Sequence, residues 1–437
     1  MNRRILHLAI PSIISNITVP LLGLVDVTIV GHLGATAYIG AIAVGGLLFN
    51  ILYWNFGFLR MGTSGLTSQA YGRKDREAEV RVLVQAVSVG LVSAFAMLLL
   101  QYPIERLAFR LLDTSVEVEQ YAITYFRICI WGAPAVLAQY AFTGWFIGMQ
   151  NSKYPMYIAI IMNVINIACS SCFVFLLGMK VEGVAWGTVV AQYAGGLMAL
   201  GLWFHKYQDL RERITFKGNL QMFAMRRFFA VNRDIFLRTL CLIGVTTFFT
   251  STGARQGDVI LAVNTLLMQL FTLFSYIMDG FAYAGEALSG RYVGACNPIQ
   301  LRRAVRALFR WGIGLSLMFT LLYGIGGENF LALLTNDKVV IQAASHYFYW
   351  VLAIPLAGFA AFLWDGILIG ATATRFMLWS MLVASGSFFV IYYSFSGATN
   401  NHMLWLAFLV YLALRGCMQS IWGRKIFTLE YLQSLKS

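Results

Sequence analysis

Asp26 lies deep in an apolar run near the start of the chain, where an ionisable side chain must be explained. Burial disfavours the charged form of a carboxylate, so Asp26 is expected to be able to take up a proton. Pro20 upstream cannot donate to the carbonyl of Asn16 and is read as a hinge just below the acid. Further on, Asn163, Asn166 and Ser170 fall at spacings of three and four, on one helix face. Neutral amides and a hydroxyl facing Asp26 would suit ion coupling by a proton or a metal ion, although interhelical hydrogen bonding explains them equally well.

Two polar stripes cross other apolar helices. One runs Tyr53, Arg60, Ser64, Thr67, and the other Thr272, Ser275, Asp279, Tyr283, Glu286 at helical spacing. They are expected to line a substrate cavity between two halves, with Arg60 pairing with Asp279 in at least one state. The alternative is a structural ion pair inside one half. Asp365 is the remaining acid in an apolar run and is placed in the same cavity set. Arg127 either neutralises Asp26 or reaches outward to the headgroups. Other chemistries lack their residues. None of the eight lysines follows a glycine, so there is no phosphate-binding Walker loop. The five histidines are scattered, and the six cysteines offer no second pair for a zinc site. An enzyme is disfavoured, and no cofactor or resident metal is implied.

The elements holding these residues must be membrane helices. Of 437 residues 59% are apolar and 12% charged, and the mean hydropathy is +0.70. Twelve spans of about 21 residues would absorb about 250 residues. The expected spans are 6–30, 36–68, 82–102, 120–147, 155–177, 183–204, 231–251, 258–288, 307–326, 341–369, 376–394 and 401–423. Loops on one side then hold 25 of the 32 Lys and Arg, Arg238 and Arg415 among them. The net charge of +13 therefore reports cytoplasmic loops and cytoplasmic termini, not nucleic acid.

The chain also repeats itself. Gly144-x-x-x-Gly148 returns 222 residues later as Gly366-x-x-x-Gly370, and the basic loop after Gly72 returns after Gly294. Pro134 and Pro355 are read as matching helix-interior prolines. The fold class is thus all-α and membrane-embedded, with twelve transmembrane helices in two pseudo-symmetric six-helix bundles. Residues 1–204 form the first lobe, 205–230 a cytoplasmic linker and 231–437 the second lobe. Asp26 maps onto Phe248 and Asp365 onto Thr143, so neither acid is repeated. This asymmetry favours ion coupling through the first half.

Four stretches resemble a known family. Ile10-Pro-Ser-Ile-Ile-Ser-Asn16 leading to Leu24-Val-Asp26 is similar to helix 1 of the multidrug and toxic compound extrusion (MATE) family. Arg60–Gly72, Asp279–Glu286 and Asp365–Ala371 resemble its DinF (DNA-damage-inducible) branch. The resemblance implies secondary-active efflux of organic compounds driven by a proton or sodium gradient, with Asp26 as coupling carboxylate and Asn163 and Asn166 as partners. Ser170 departs from it, standing where many relatives carry an aspartate.

The expected function is proton-coupled antiport of small organic compounds across a bacterial inner membrane. The protein would work as a monomer among membrane lipids, without an ATPase or nucleic-acid partner. Two Arg (Arg60, Arg127) against four acids (Asp26, Asp279, Glu286, Asp365) point to cationic or neutral substrates. The alternatives are sodium-coupled antiport, or a flippase for a lipid-linked precursor on the same scaffold.

Overall fold

Where the helices begin is decided by caps that hydropathy does not register. The computed structural model describes residues 1–111, 115–214, 222–335, 337–394, 401–428 and 431. The Asp75 side chain accepts from the backbone N–H of Ala78 at 3.0 Å, so the third span starts at Arg76 rather than residue 82. Asn297 accepts from Gln300 at 3.0 Å with Pro298 in the first turn, so the ninth starts at Pro298 rather than 307. Asp337 caps a separate helix, and the expected 341–369 span becomes Lys338–Ser345 followed by Phe348–Gly370.

Among the described residues there are sixteen α-helices and no strand. They are α1 (Asn2–Gly31), α2 (Thr36–Asn55), α3 (Gly57–Arg73), α4 (Arg76–Leu99), α5 (Gln101–Leu111), α6 (Val116–Cys129), α7 (Ala133–Gly148) and α8 (Lys153–Ser171). Then follow α9 (Val181–Lys206), α10 (Met222–Arg255), α11 (Asp258–Gly294), α12 (Pro298–Leu334), α13 (Lys338–Ser345), α14 (Phe348–Gly370), α15 (Thr374–Ser394) and α16 (Asn401–Trp422). They supply twelve segments long and apolar enough to cross a membrane. Large apolar side chains stand on their outer faces, Leu99 at 81% and Ile325 at 85% exposure, as expected where lipid is the solvent.

The chain forms two compact units, Ile14–Asn232, and Met1–Ile13 together with Arg233–Ser437. Part of the expected linker, 215–221, lies outside the described residues. Other spans also depart from expectation internally, the fifth by passing into a π-helix at Cys172–Leu176. The second breaks at Phe56, between α2 and α3. The fourth passes through a 3-10 turn, Ile130–Gly132, which puts Pro134 in the first turn of α7 rather than inside a helix. Pro355 does lie inside α14. The α1 helix runs unbroken through Pro20.

Inside each unit the repeat is visible at the level of single contacts. A Cβ on Gly144 would strike the Arg60 carbonyl, and one on Gly366 the Ala282 carbonyl, 222 residues on. Gly148 lies against Thr67 and the Ser64 carbonyl, as Gly370 lies against Ser289 and the Glu286 carbonyl. Small residues here let α7 close on α3, and α14 on α11, where lipid gives helices no hydrophobic reason to associate. The turns repeat too. Among the described residues, the four non-glycine residues with positive φ are Lys74 and Cys296 (60° and 50°), and Gln150 and Thr372 (64° and 53°). After each, the backbone N–H bonds back five residues, from Asp75 to Ala70, Asn297 to Tyr292, Asn151 to Phe146 and Ala373 to Leu368.

Candidate functional site

In the unit Ile14–Asn232, the Asp26 carboxylate on α1 is 4% exposed. Thr188 on α9 is a neighbour of this carboxylate. Asn166 on α8 donates through Nδ2 to the Thr188 hydroxyl at 3.0 Å, so the amide shares this neighbour with the acid. Tyr125 and Cys129 on α6 are buried close enough to feel the Asp26 charge. Three oxygens of this group, Asp26 Oδ1, Asn166 Oδ1 and Ser170 Oγ, are buried without a hydrogen-bond partner. Buried polar atoms in folded proteins are normally satisfied, so three together leave capacity for a proton or a small cation. Asn163 is spent differently, donating to the Thr18 carbonyl at 2.9 Å and tying α8 to α1 just below Pro20.

Arg127 does not serve Asp26. It binds Glu105 through two bonds of 2.8 Å with its own side chain 54% exposed, which removes the expected role of neutralising Asp26. Among the described residues no cation forms an ion pair with Asp26. The nearby stripe divides. Tyr53 is buried with its hydroxyl unpartnered, while Ser64 and Thr67 are fully buried on the face of α3 that meets the α7 glycines.

In the other unit the stripe of α11 is less uniform than its spacing. The hydroxyls of Thr272 and Ser275 fold back onto Met268 and Thr272 carbonyls at 2.8 Å, spending their donors on their own helix. Asp279, Tyr283 and Glu286 follow on the same helix, each engaged by neighbouring groups, with Glu286 only 1% exposed. Asp365 on α14 has both carboxylate oxygens bonded within a charged network, in which Arg238 Nε, Arg415 Nε and Gln419 Oε1 are the buried atoms left unpartnered. Arg415 donates to its Oδ2 at 3.0 Å, Gln419 to its Oδ1 at 2.8 Å, and Arg238 also binds Oδ2. Arg415 lies over the rings of Phe362 and Tyr411, 5.8 and 6.0 Å from the centroids.

Two guanidinium groups expected in loops are thus buried, and the expected balance of two arginines against four acids does not hold. Arg238 and Arg415 raise the cationic side to four. Asp234, buried and bonded by Thr374 Oγ1 at 3.0 Å, adds to the acids. Five acids then stand against four arginines, so the acidic excess narrows from two to one.

The MatE family model matches residues 11–171 and 235–393, one stretch in each half. The chain belongs to the MatE family. It is 40% identical to DNA damage-inducible protein F of Escherichia coli strain K12 over 96% of this chain and 91% of that one. The fold superposes on a MATE crystal structure in a bent conformation with a TM-score of 0.86 at 19% identity, covering 99% and 96% of the two chains. A MOP superfamily transporter from Pyrococcus furiosus gives a TM-score of 0.83 at 19% identity, covering 98% and 96%.

For this MatE protein, the residues that sequence reasoning does not find are Thr188, Arg238, Arg415 and Gln419. Thr188 has no signal beyond standing next to Gly187, whose missing side chain admits Ser170. Arg415 carries one. It is a single arginine inside the apolar run Leu404–Ile421, where a cytoplasmic loop has no room.

Proposed function

We propose that this MatE protein is a secondary-active carrier exporting organic compounds in exchange for protons, with Asp26 as the coupling carboxylate. The observation that carries the reading is a buried acid with no ion pair among the described residues and one idle oxygen, beside the Thr188 that Asn166 bonds. A permanently paired carboxylate would gain little from a proton, whereas this one gains a neutral form suited to its surroundings. Substrate binds best when Asp26 is charged. Protonation from the other side of the membrane neutralises it and lowers that affinity, and the two bindings are reciprocal by linkage. Both termini face the cytoplasm in this reading, since the arginine-rich loops stay inside.

Sodium is the second reading, because Asn166 Oδ1 and Ser170 Oγ are neutral oxygens free to join the carboxylate as ligands. Purified protein in proteoliposomes decides between them. Under a pH gradient without sodium, cationic, neutral and anionic compounds are added to wild type and Asp26→Asn. Substrate-triggered proton release from wild type alone is the expected result. A response that needs sodium changes the ion, and no response under either gradient removes the antiport reading.

A further inference from the structure

Four arginines converge on one cavity in the unit formed by Met1–Ile13 and Arg233–Ser437. Arg3 of α1 and Arg303, Arg306 and Arg310 of α12 line a space of about 450 Å³ with no acidic residue in its wall. Their neighbours are occupied elsewhere. Arg4 donates to the Tyr292 hydroxyl at 3.1 Å, and Arg302 lies 5.9 Å from the Phe427 ring centroid. Among the described residues none of the four lining arginines forms an ion pair.

Topology alone does not account for this arrangement. Retaining positive charge on one side of a membrane needs basic residues somewhere in the loops, not four aimed at one cavity from two helices. Arg303, Arg306 and Arg310 are spaced three and four apart, and like charges at that spacing oppose the helix that carries them. An anion in the cavity offsets that repulsion. Guanidinium groups stay charged and present paired donors that match phosphate oxygens.

The same faces continue into lipid. On α12 the stripe of Arg303, Arg306 and Arg310 runs on as Ile313, Leu317 and Leu321, all three exposed. On α1, Arg3 is followed by His7 and the exposed Ile10 at the same spacing. A basic mouth thus opens directly onto an apolar strip.

We propose that this cavity holds the headgroup of an anionic phospholipid from the adjoining leaflet. The arginines hold its phosphates, and its acyl chains lie along Ile10, Ile313, Leu317 and Leu321. Four cations suit a lipid bearing two phosphates better than one bearing a single phosphate. The site is independent of the coupling ion.

Native mass spectrometry of the full-length protein tests it with diphosphatidylglycerol, phosphatidylcholine and inorganic phosphate as probes. Diphosphatidylglycerol is expected to be retained by wild type, and by Lys74→Gln/Arg81→Gln, which loses equal charge in the other unit. Retention by Arg306→Gln/Arg310→Gln is expected to be about 30-fold weaker. Because both side chains are exposed, this variant is expected to fold, with circular dichroism as the check. Equal loss in the two variants would reduce the site to bulk charge and overturn the proposal. Equal retention of phosphatidylcholine would also overturn it. So would displacement of the lipid by millimolar phosphate, which would mark a site for the free anion.

Discussion

Where the first half places Asp26, Asn166 and Ser170, the second half, 222 residues on, places Phe248, Phe388 and Tyr392. The replacement is complete down to contact. Phe248 packs edge-on against Phe388 and Tyr392, with centroids 5.9 and 5.4 Å apart, and against Phe389 at 5.0 Å. An aromatic cluster needs no partner beyond its own rings. The polar trio it replaces is left with three unsatisfied oxygens. The second half has its own charged centre, where the unpartnered buried atoms are Arg238 Nε, Arg415 Nε and Gln419 Oε1 and the carboxylate itself is fully bonded. Asp365 is bound by Arg238, Arg415 and Gln419, whereas the matching first-half position is Thr143. Glycine seams and turns are common to both halves and build the scaffold. The buried charges differ, and of these two acids only Asp26 is left open to a further ligand.

The largest effect should come from removing the acid at the Asp365 centre. Asp365→Ala strands two buried guanidinium groups, and breaking a buried pair this way costs about 3–5 kcal/mol. Thermal unfolding in detergent should place this variant below Gly144→Ala, Gly366→Ala and Asp26→Asn. If it unfolds near wild type, the Asp365 network is not structural, and its contrast with Asp26 disappears.

A smaller and symmetric effect tests the shared part. Gly144→Ala and Gly366→Ala each push a methyl group into a backbone carbonyl on the facing helix, which cannot swing aside as a side chain could. Overpacking costs about 1–3 kcal/mol, against a helix-propensity gain of about 1 kcal/mol. The expected outcome is a net loss of similar size at both positions, read as paired drops in melting temperature. A loss at only one would mean that the halves share a sequence pattern without sharing the seam.

Much of this scaffold is legible from residue types at fixed spacing, and what is not has physical causes. The glycine pairs, the twelve spans and the lone Asp26 are local signals, since small size, apolar length and charge in an apolar run can each be read in one dimension. Helix starts at Arg76 and Pro298 escape hydropathy because a cap is a hydrogen bond and hydropathy averages over it. Arg238 and Arg415 read as loop residues because a basic residue near the end of a span looks like a topology signal. Only packing around Asp365 shows that they are buried. Thr188 is invisible for a different reason. A threonine inside a helix can equally bond its own carbonyls, as Thr272 does, and only the fold turns this one toward Asp26 and Asn166.

The smallest stability effect belongs to the residue on which the functional reading rests. Asp26→Asn keeps the size of the side chain and a group able to bond Thr188, and it removes no ion pair. Its stability should therefore stay within about 1 kcal/mol of wild type, the scale of one ordinary hydrogen bond. Under the same unfolding protocol as Asp365→Ala, the melting temperature should barely move. A large fall would mean that the carboxylate holds a cation the fold depends on, making Asp26 as fully bonded as Asp365. An unchanged fold together with lost proton release separates the two acids by role, since a carboxylate that can be neutralised without structural cost is one free to exchange its ligand during transport.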